Sequence, residues 1–499
     1  MIEELIEKLL TYSRLYLDMN EEDVIYFRNL LMLKLKVREP YAGKVTSDEI
    51  ASHETVDFIL LDLRKYIIEA KIVEEKDADY FLVEIMGLLT PLPSQVASKF
   101  NRLYKESPVK ATDYFYRLSI HNDYIKKTAV DTNIKWVAKF PENFLEITIN
   151  LSKPEKNNKD IARLVNSVPS GYPKCVLCKE NLGFGGRPDS PARENIRLIP
   201  LNLAGERWYL QYSPYVYYDE HCIVLDERHV PMAINKGIFE KLLAFVDLFP
   251  HYFVGSNSDL PIVGGSILNH EHFQGGRHLM PIMAAKTKFR ITSERFHEVE
   301  VSYLDWYNTC FLLKSMNKEQ LLSAAAFITD KWRKYDDKEV DIIAHDGGQH
   351  STLTPIARKV GDIYYLYLIL RNNRCDERYP EGIFHAHPEH HNIKHEGIGL
   401  IEAMGLFILP ARLERQIGEI LEIVTEHLNP EVVYKTHPDL LIHRALITEL
   451  LQAKPNDPKA ALTDSVNKTC QAVLENTGVF KNTPKGYEHL TRFIKHLDL

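Results

Sequence analysis

Long apolar stretches are missing: no run of about 18 apolar residues occurs, so no membrane span is expected. A basic excess is missing as well. Lys+Arg number 61 against 69 Asp+Glu, a net charge of −8. That balance argues against a protein held to nucleic acid by its overall field. Cysteine is sparse, at six residues in 499, and only Cys175 and Cys178 stand close together, so a secreted disulfide framework is excluded. The opening Met1-Ile2-Glu3-Glu4 carries no basic region ahead of an apolar core, and no signal peptide is expected. The expectation is a soluble cytoplasmic protein with 45% hydrophobic and 26% charged residues, which is ordinary globular usage. Its length allows about three domain equivalents. One residue type is abundant and clustered: there are 21 histidines.

Apolar periodicity predicts a mostly helical region over residues 1–150. Ile2, Leu5, Ile6, Leu9 and Leu10 form one stripe, and another runs from Val56 to Ile72. Asn20 with Asp23 reads as a helix start, and Pro91 and Pro93 break the chain between helices. Leu145 to Leu151 alternates as a strand does. The polar Ser152–Lys159 stretch that follows marks a domain boundary. Short β-rich runs then appear: Trp208–Tyr212, Cys222–Leu225 and Pro261–Phe273, with a helix at Ile238–Phe249. Tyr364–Leu370 reads as a buried strand. Gly397–Val424, interrupted near Pro410, and a tail from Pro438 read as helical. The fold class is therefore α+β with helical ends. His270-Glu271-His272 and His385-Ala386-His387, 115 residues apart, echo each other and suggest duplication of a small αβ unit.

The chemistry centres on Gly264-Gly265-Ser266-Ile267-Leu268-Asn269-His270-Glu271-His272-Phe273-Gln274-Gly275-Gly276. On a strand, His270, His272 and Gln274 share one face, with Glu271 and Phe273 opposite. Flanking glycines let a phosphate approach backbone N–H groups. A neutral imidazole attacks phosphorus well near pH 7, and a nucleotidyl group taken up as a phosphoramidate is labile enough to be passed on. Gln274 can donate to the non-bridging oxygens but cannot shuttle a proton. That suits a leaving group that is already a phosphate, so the pattern favours transfer over hydrolysis. The competing reading is a strand of hydrogen-bonded structural histidines, or a bare metal clip.

Cys175-Val-Leu-Cys178 is a zinc half-site, for which His229 and His270 are the best partners and His221 a rival. The alternative is a turn with two inert thiols. His385 and His387, with His390, His391 and His395, make the densest histidine patch: a second metal site, a sugar-phosphate pocket or a solvated cluster. No carboxylate ligand for it stands out. Arg187, Arg193 and Arg197 offer cations for a diphosphate, or are plain surface arginines. Asn257 and Asp259 precede the glycine pair and can meet nucleotide hydroxyls.

At His270-Glu-His-Phe-Gln274 the chain resembles the galactose-1-phosphate uridylyltransferases, a branch of the histidine-triad superfamily. Cys175–Asn181, Gln211–Tyr218, Pro261–Ser266 and Gly397–Glu402 are similar to the bacterial type 2 form, and the resemblance spans essentially the whole chain. It implies two histidine-triad-like αβ units with antiparallel sheets, over 160–285 and 286–430, between a helical region (1–150) and a helical tail (431–499). It implies ping-pong exchange of UMP between UDP-glucose and galactose 1-phosphate, in the Leloir pathway of galactose metabolism. By motif position His272 is the nucleophile and Gln274 the phosphate-binding amide. Cys175, Cys178, His229 and His270 match the family's zinc set. Gly264, Gly265, Ser266, Asn257 and Arg187 fall to substrate binding. Glu402 falls where type 1 enzymes hold sugar hydroxyls, but their Gln partner six residues on is Ile408 here, which bears on hexose selectivity. His385 and His387 match a later His-x-His that carries a second metal in type 1, with another His, for which His350 is the candidate, and a Glu without counterpart here. A homodimer with half-sites from different subunits would suit the superfamily; no nucleic-acid or membrane partner is expected. The readings to be weighed against this one are a dinucleoside polyphosphate phosphorylase or hydrolase of the same superfamily, and a zinc-stabilised nucleotide-binding regulator without turnover.

Overall fold

The stripe of Ile2, Ile6, Leu9 and Leu10 is buried along one face of a helix, Ile2–Tyr16, as helical spacing demands. Asn20 makes no side-chain cap. The chain first tightens into a single 3₁₀ turn, Glu21–Asp23, before the helix Val24–Lys34 begins. The Val56–Ile72 stripe forms Asp57–Glu69, which buries Ile59, Leu63 and Ile67. Pro93 stands in the first turn of Pro93–Glu106, where a missing N–H costs nothing, and so separates it from Ala78–Leu89. No single helix among the described residues is long and apolar enough to cross a membrane. Ala78–Leu89 and Pro93–Glu106, with the short turn ahead of them, reach that length only jointly, across a 56° bend.

This computed structural model describes residues 2–152 and 171–499. The polar boundary expected at Ser152–Lys159, and the segment start at residue 160, fall almost wholly outside them. The architecture is α+β, in two units. One comprises Met1–Thr132 and Pro154–His229, the other Asn133–Lys153 and Val230–Leu499. In the first unit the helices accompany an antiparallel run of three strands, Ile199–Leu203, Glu206–Tyr212 and Cys222–Asp226. Arg197 ties the helices to those strands. Its guanidinium donates to Pro91 O at 2.6 Å and Thr90 O at 2.9 Å, and so satisfies carbonyls beyond the end of Ala78–Leu89.

The second unit holds a seven-stranded antiparallel ladder. Its order is His272–Gly276, Phe253–Gly255, Ser351–Val360, Ile363–Asn372, Cys310–Ser315, Glu300–Leu304 and Thr287–Ile291. Helices Lys236–Leu248 and Lys318–Trp332 bury Leu242, Phe245, Ala325 and Ile328, and Trp332 Nε1 donates to Thr352 O at 2.8 Å. A second sheet joins Ile134–Lys139 and Phe144–Asn150 as a hairpin, with Leu406–Pro410 added in parallel. That strand lies within the Gly397–Val424 segment expected to be helical. Only Leu400–Ala403 and Arg412–Thr425 are helix, because Leu406-Phe-Ile-Leu409 has an open edge to pair with. The carboxyl-terminal tail is helical as expected, and Phe493 packs against Phe311, Trp332 and Tyr335.

Candidate functional site

The two thiols of the Cys-x-x-Cys turn are gathered by a short turn and an amide clamp. Asn181 Nδ2 donates to Cys175 O at 2.9 Å and to Cys178 O at 2.8 Å. Cys175 Sγ lies 3.6 Å from Cys178 Sγ, and Cys178 Sγ lies 3.2 Å from His229 Nδ1. Around a zinc ion with bonds of ~2.3 Å, two tetrahedral sulfurs would stand about 3.7 Å apart. Both thiols are unbridged. Burial pushes Cys175 up to about 11, so a cation is what would make it a thiolate. These three donors can hold a metal ion. His221, the rival, instead packs against Tyr217 and Tyr218, with ring centroids 5.3 and 4.5 Å away.

The glycine-flanked histidine segment is less regular than its alternation implies. Residues 261–271 form turns and one isolated bridge, Ser258 to Gly264, and the strand begins only at His272. His270 therefore precedes the strand, while His272 and Gln274 alternate along it. Glu271 leaves the other way, to Lys241 Nζ at 3.1 Å on the helix Lys236–Leu248. His272 is buried. Its Nδ1 lies 2.8 Å from the His270 carbonyl oxygen. A carbonyl only accepts, so Nδ1 carries the proton and Nε2 the lone pair. Burial pulls the imidazole down to about 4, which keeps it neutral at physiological pH.

Gln274 pairs in register with Gly255, two residues before Asn257. Asn257 links the glycine loop to a distant helix. Its Oδ1 accepts the Leu400 N–H at 2.8 Å, which caps the short helix that carries Glu402. A Cβ on Gly265 would stand 2.7 Å from Asn257 Nδ2, and one on Gly264 would stand 2.6 Å from Ser258 O. The structure thus brings Asn257, Gly265 and the Glu402 helix together. Ser266 is exposed on the same loop. Glu402 is ion-paired with the buried Lys394 at 3.0 Å, and Lys394 also donates to Ile408 O at 2.9 Å. Lys394 has no spacing signal in the sequence; its contact with Glu402 is made by the tertiary fold.

Other predicted residues sit apart or are already engaged. Arg187 pairs with Asp189 and donates to Tyr172 O, in a tight turn closed by Ser190. Arg197 is committed to backbone carbonyls, and Arg193 lies over the Tyr124 ring. Asp259 accepts from Arg333 at 2.8 Å and from Thr352 at 2.5 Å. His385 Nε2 accepts the Ile398 N–H at 3.0 Å, and burial pulls this imidazole down to about 3. His387 Nε2 donates to Ile383 O at 3.0 Å, and the ring stacks on Tyr379. His350 bonds Asn373 at 2.8 Å. Among the described residues, neither His385, His387 nor His350 belongs to a group of three metal donors.

Two family models, one for each domain of the same family, match most of the chain. The galactose-1-phosphate uridyl transferase N-terminal domain matches residues 20–231, and the C-terminal domain matches 245–438. A galactose-1-phosphate uridylyltransferase of Caldanaerobacter subterraneus is 43% identical over 507 residues, covering 98% of this chain and 97% of that one. One of Clostridium acetobutylicum is 41% identical over 503 residues, covering 100% of both. Among solved structures, the crystal structure of yeast Ap4A phosphorylase Apa2 matches with a TM-score of 0.30 and 14% identity, over 62% of this chain and 86% of that one. That likeness is too slight to bear on fold or chemistry. With both family domains matched in order and relatives aligned from end to end, the chain belongs to the galactose-1-phosphate uridylyltransferase family.

Proposed function

We propose that this chain moves UMP between UDP-glucose and galactose 1-phosphate by way of a uridylyl group on His272. The observation that carries the reading is the tautomer: Nδ1–H is spent on the His270 carbonyl, so Nε2 offers its lone pair to phosphorus. Nε2 attacks the α-phosphorus of UDP-glucose, the bond to the β-phosphate oxygen breaks, and glucose 1-phosphate leaves as an anion that needs no proton. A phosphate oxygen of galactose 1-phosphate then attacks the same phosphorus. The P–N bond breaks, UDP-galactose forms, and the imidazole is restored. Gln274, on the same strand face, donates an amide N–H to the oxygens that gain charge.

Around this pair, Gly264, Gly265 and Ser266 form the loop that admits the phosphates, and Asn257 meets nucleotide hydroxyls. Arg187 serves the diphosphate and must trade Asp189 for it. Glu402, with His385 and His387 on neighbouring segments, serves the hexose phosphate. Because Ile408 cannot hydrogen-bond a sugar through its side chain, the hexose is held by fewer polar groups than a Glu–Gln pair would provide. The two histidine-triad-like halves, 160–285 and 286–430, the helical segments 1–150 and 431–499, a homodimeric assembly and a cytoplasmic location complete the proposal.

The metal of the Cys175, Cys178 and His229 set is zinc in this reading, with His270 as fourth ligand. A closed four-ligand zinc is structural, and it would anchor the residue whose carbonyl orients His272. Cys178→Ser is expected to lower the zinc content measured by elemental analysis and the thermal midpoint together; full zinc retention would remove this ligand set. For the transfer itself, the enzyme is incubated with UDP-glucose labelled at the α-phosphate. Acid-labile, alkali-stable label is expected on the wild type and none on a folded His272→Ala variant. Label retained on that variant would refute the mechanism.

A further inference from the structure

Sequence alone singles out no carboxylate ligand for the histidine patch near residue 390, and the fold supplies one. Gly382, with φ at +116°, reverses the chain and returns Glu381 to the patch. The turn is tight: Gly382 N donates to Tyr379 O at 3.1 Å, and a Cβ at Gly382 would stand 2.9 Å from the His385 Cβ. From the other side, the Ile393 and Lys394 N–H groups both bond His390 O, which winds one helical turn. His391 lies on this turn and His395 directly follows it. Their rings meet edge to face, 75° apart with centroids at 4.6 Å.

The gaps identify what the cluster suits. His395 Nε2 lies 3.3 Å from Glu381 Oε1, and His391 Nε2 lies 3.6 Å from Glu381 Oε2. Charge-assisted hydrogen bonds close to about 2.7–2.9 Å, so these are poor ones. A tetrahedral cation with bonds of ~2.0–2.2 Å to nitrogen and oxygen sets its ligands about 3.4 Å apart. One ligand atom from each of the three residues falls within 4.8 Å of the others. We infer that Glu381, His391 and His395 form a second metal site, for a zinc-like divalent ion, with water completing the shell. It is separate from the Cys175 and Cys178 set and uses neither His385 nor His387. Two imidazoles and one carboxylate select zinc, cobalt or nickel over magnesium or calcium, which prefer all-oxygen sites. His391 Nε2 also lies 3.1 Å from Ala386 O, so binding through that nitrogen exchanges this hydrogen bond for the metal. The consequence reaches Glu402. The turn between the two histidines carries Lys394, and an ion clasped by Glu381 would hold that turn in place.

The test uses the full-length enzyme. After equilibrium dialysis against Zn²⁺, the wild type is expected to hold one ion per chain more than a Glu381→Gln/His395→Asn double variant, while both keep the same transferase activity without added metal. All three side chains reach solvent, so the variant is expected to fold. A second measurement needs no mutation: Zn²⁺ is expected to slow acylation of His391 and His395 by diethyl pyrocarbonate several-fold, while exposed His427 reacts as before. Equal zinc stoichiometry in the two proteins, or His391 and His395 left as reactive as without zinc, would overturn the site.

Discussion

In the proposed transfer, one proton on His272 decides which ring nitrogen can react. The His270 carbonyl fixes it on Nδ1, and burial denies a second proton to the ring. In the proposed transfer Gln274 plays a different part, because it would take no bond and would only lower the cost of charge on the phosphoryl oxygens. Its loss should therefore leave a slow enzyme where loss of His272 leaves an inert one. Gln274→Ala is expected to cut kcat by about 10²–10³-fold, the usual cost of one such donor, and still to trap label from UDP-glucose. Steady-state rates beside the label assay check this, and an unchanged kcat would remove Gln274 from the reaction. The Cys175 and Cys178 half-site was legible from its spacing, but the choice of His229 over His221 was not, since only the folded chain sets His221 against Tyr217 and Tyr218. Glu381 was not legible. Nothing in its spacing from His391 and His395 points to it until Gly382 turns the chain.

Elements that carry the site meet where side chains are absent. Gly255 lies opposite Gln274, and a Cβ there would stand 2.9 Å from Leu400 Cδ1 and 3.0 Å from Pro355 O. Leu400 begins the helix of Glu402, so the missing side chain sets how closely that helix approaches the strand. Gly255→Ala is expected to cost about 1–3 kcal/mol through overpacking. It should also raise KM for galactose 1-phosphate more than for UDP-glucose. Urea unfolding and initial rates would read both, and equal shifts in the two KM values would contradict the link. Alternation made the strand at Leu145–Leu151 readable in the sequence, and a continuous apolar, aromatic run made the buried strand at Tyr364–Leu370 so. Leu406–Pro410 was not readable: five residues of apolar run suit a helix or a strand equally, and its partner stands far back in the chain. The role of Arg197 was hidden for a similar reason, since only the folded chain brings Thr90 and Pro91 to it.

For the whole molecule, buried neutral imidazoles set a limit on acid tolerance. Burial holds His385 down to about 3 and His443 down to about 4, against about 6.5 in an unfolded chain. The folded state binds fewer protons in that interval. The stability these groups contribute is thus complete above about pH 6.5 and lost as pH falls through the folded values. The thermal midpoint is expected to drop between pH 7 and pH 4.5, and His443→Gln should flatten the drop. A midpoint that rises over this range would contradict the assignment. A different consequence comes from Phe144–Asn150, which pairs on one side with its hairpin neighbour and on the other with Leu406–Pro410. A ribosome releases these two strands some 260 residues apart. Through most of translation the earlier one waits with an open edge, the kind of template that recruits the wrong strand. Crowded or stalled synthesis should therefore penalise this chain early, and holdase chaperones should bind nascent chains that stop short of residue 406.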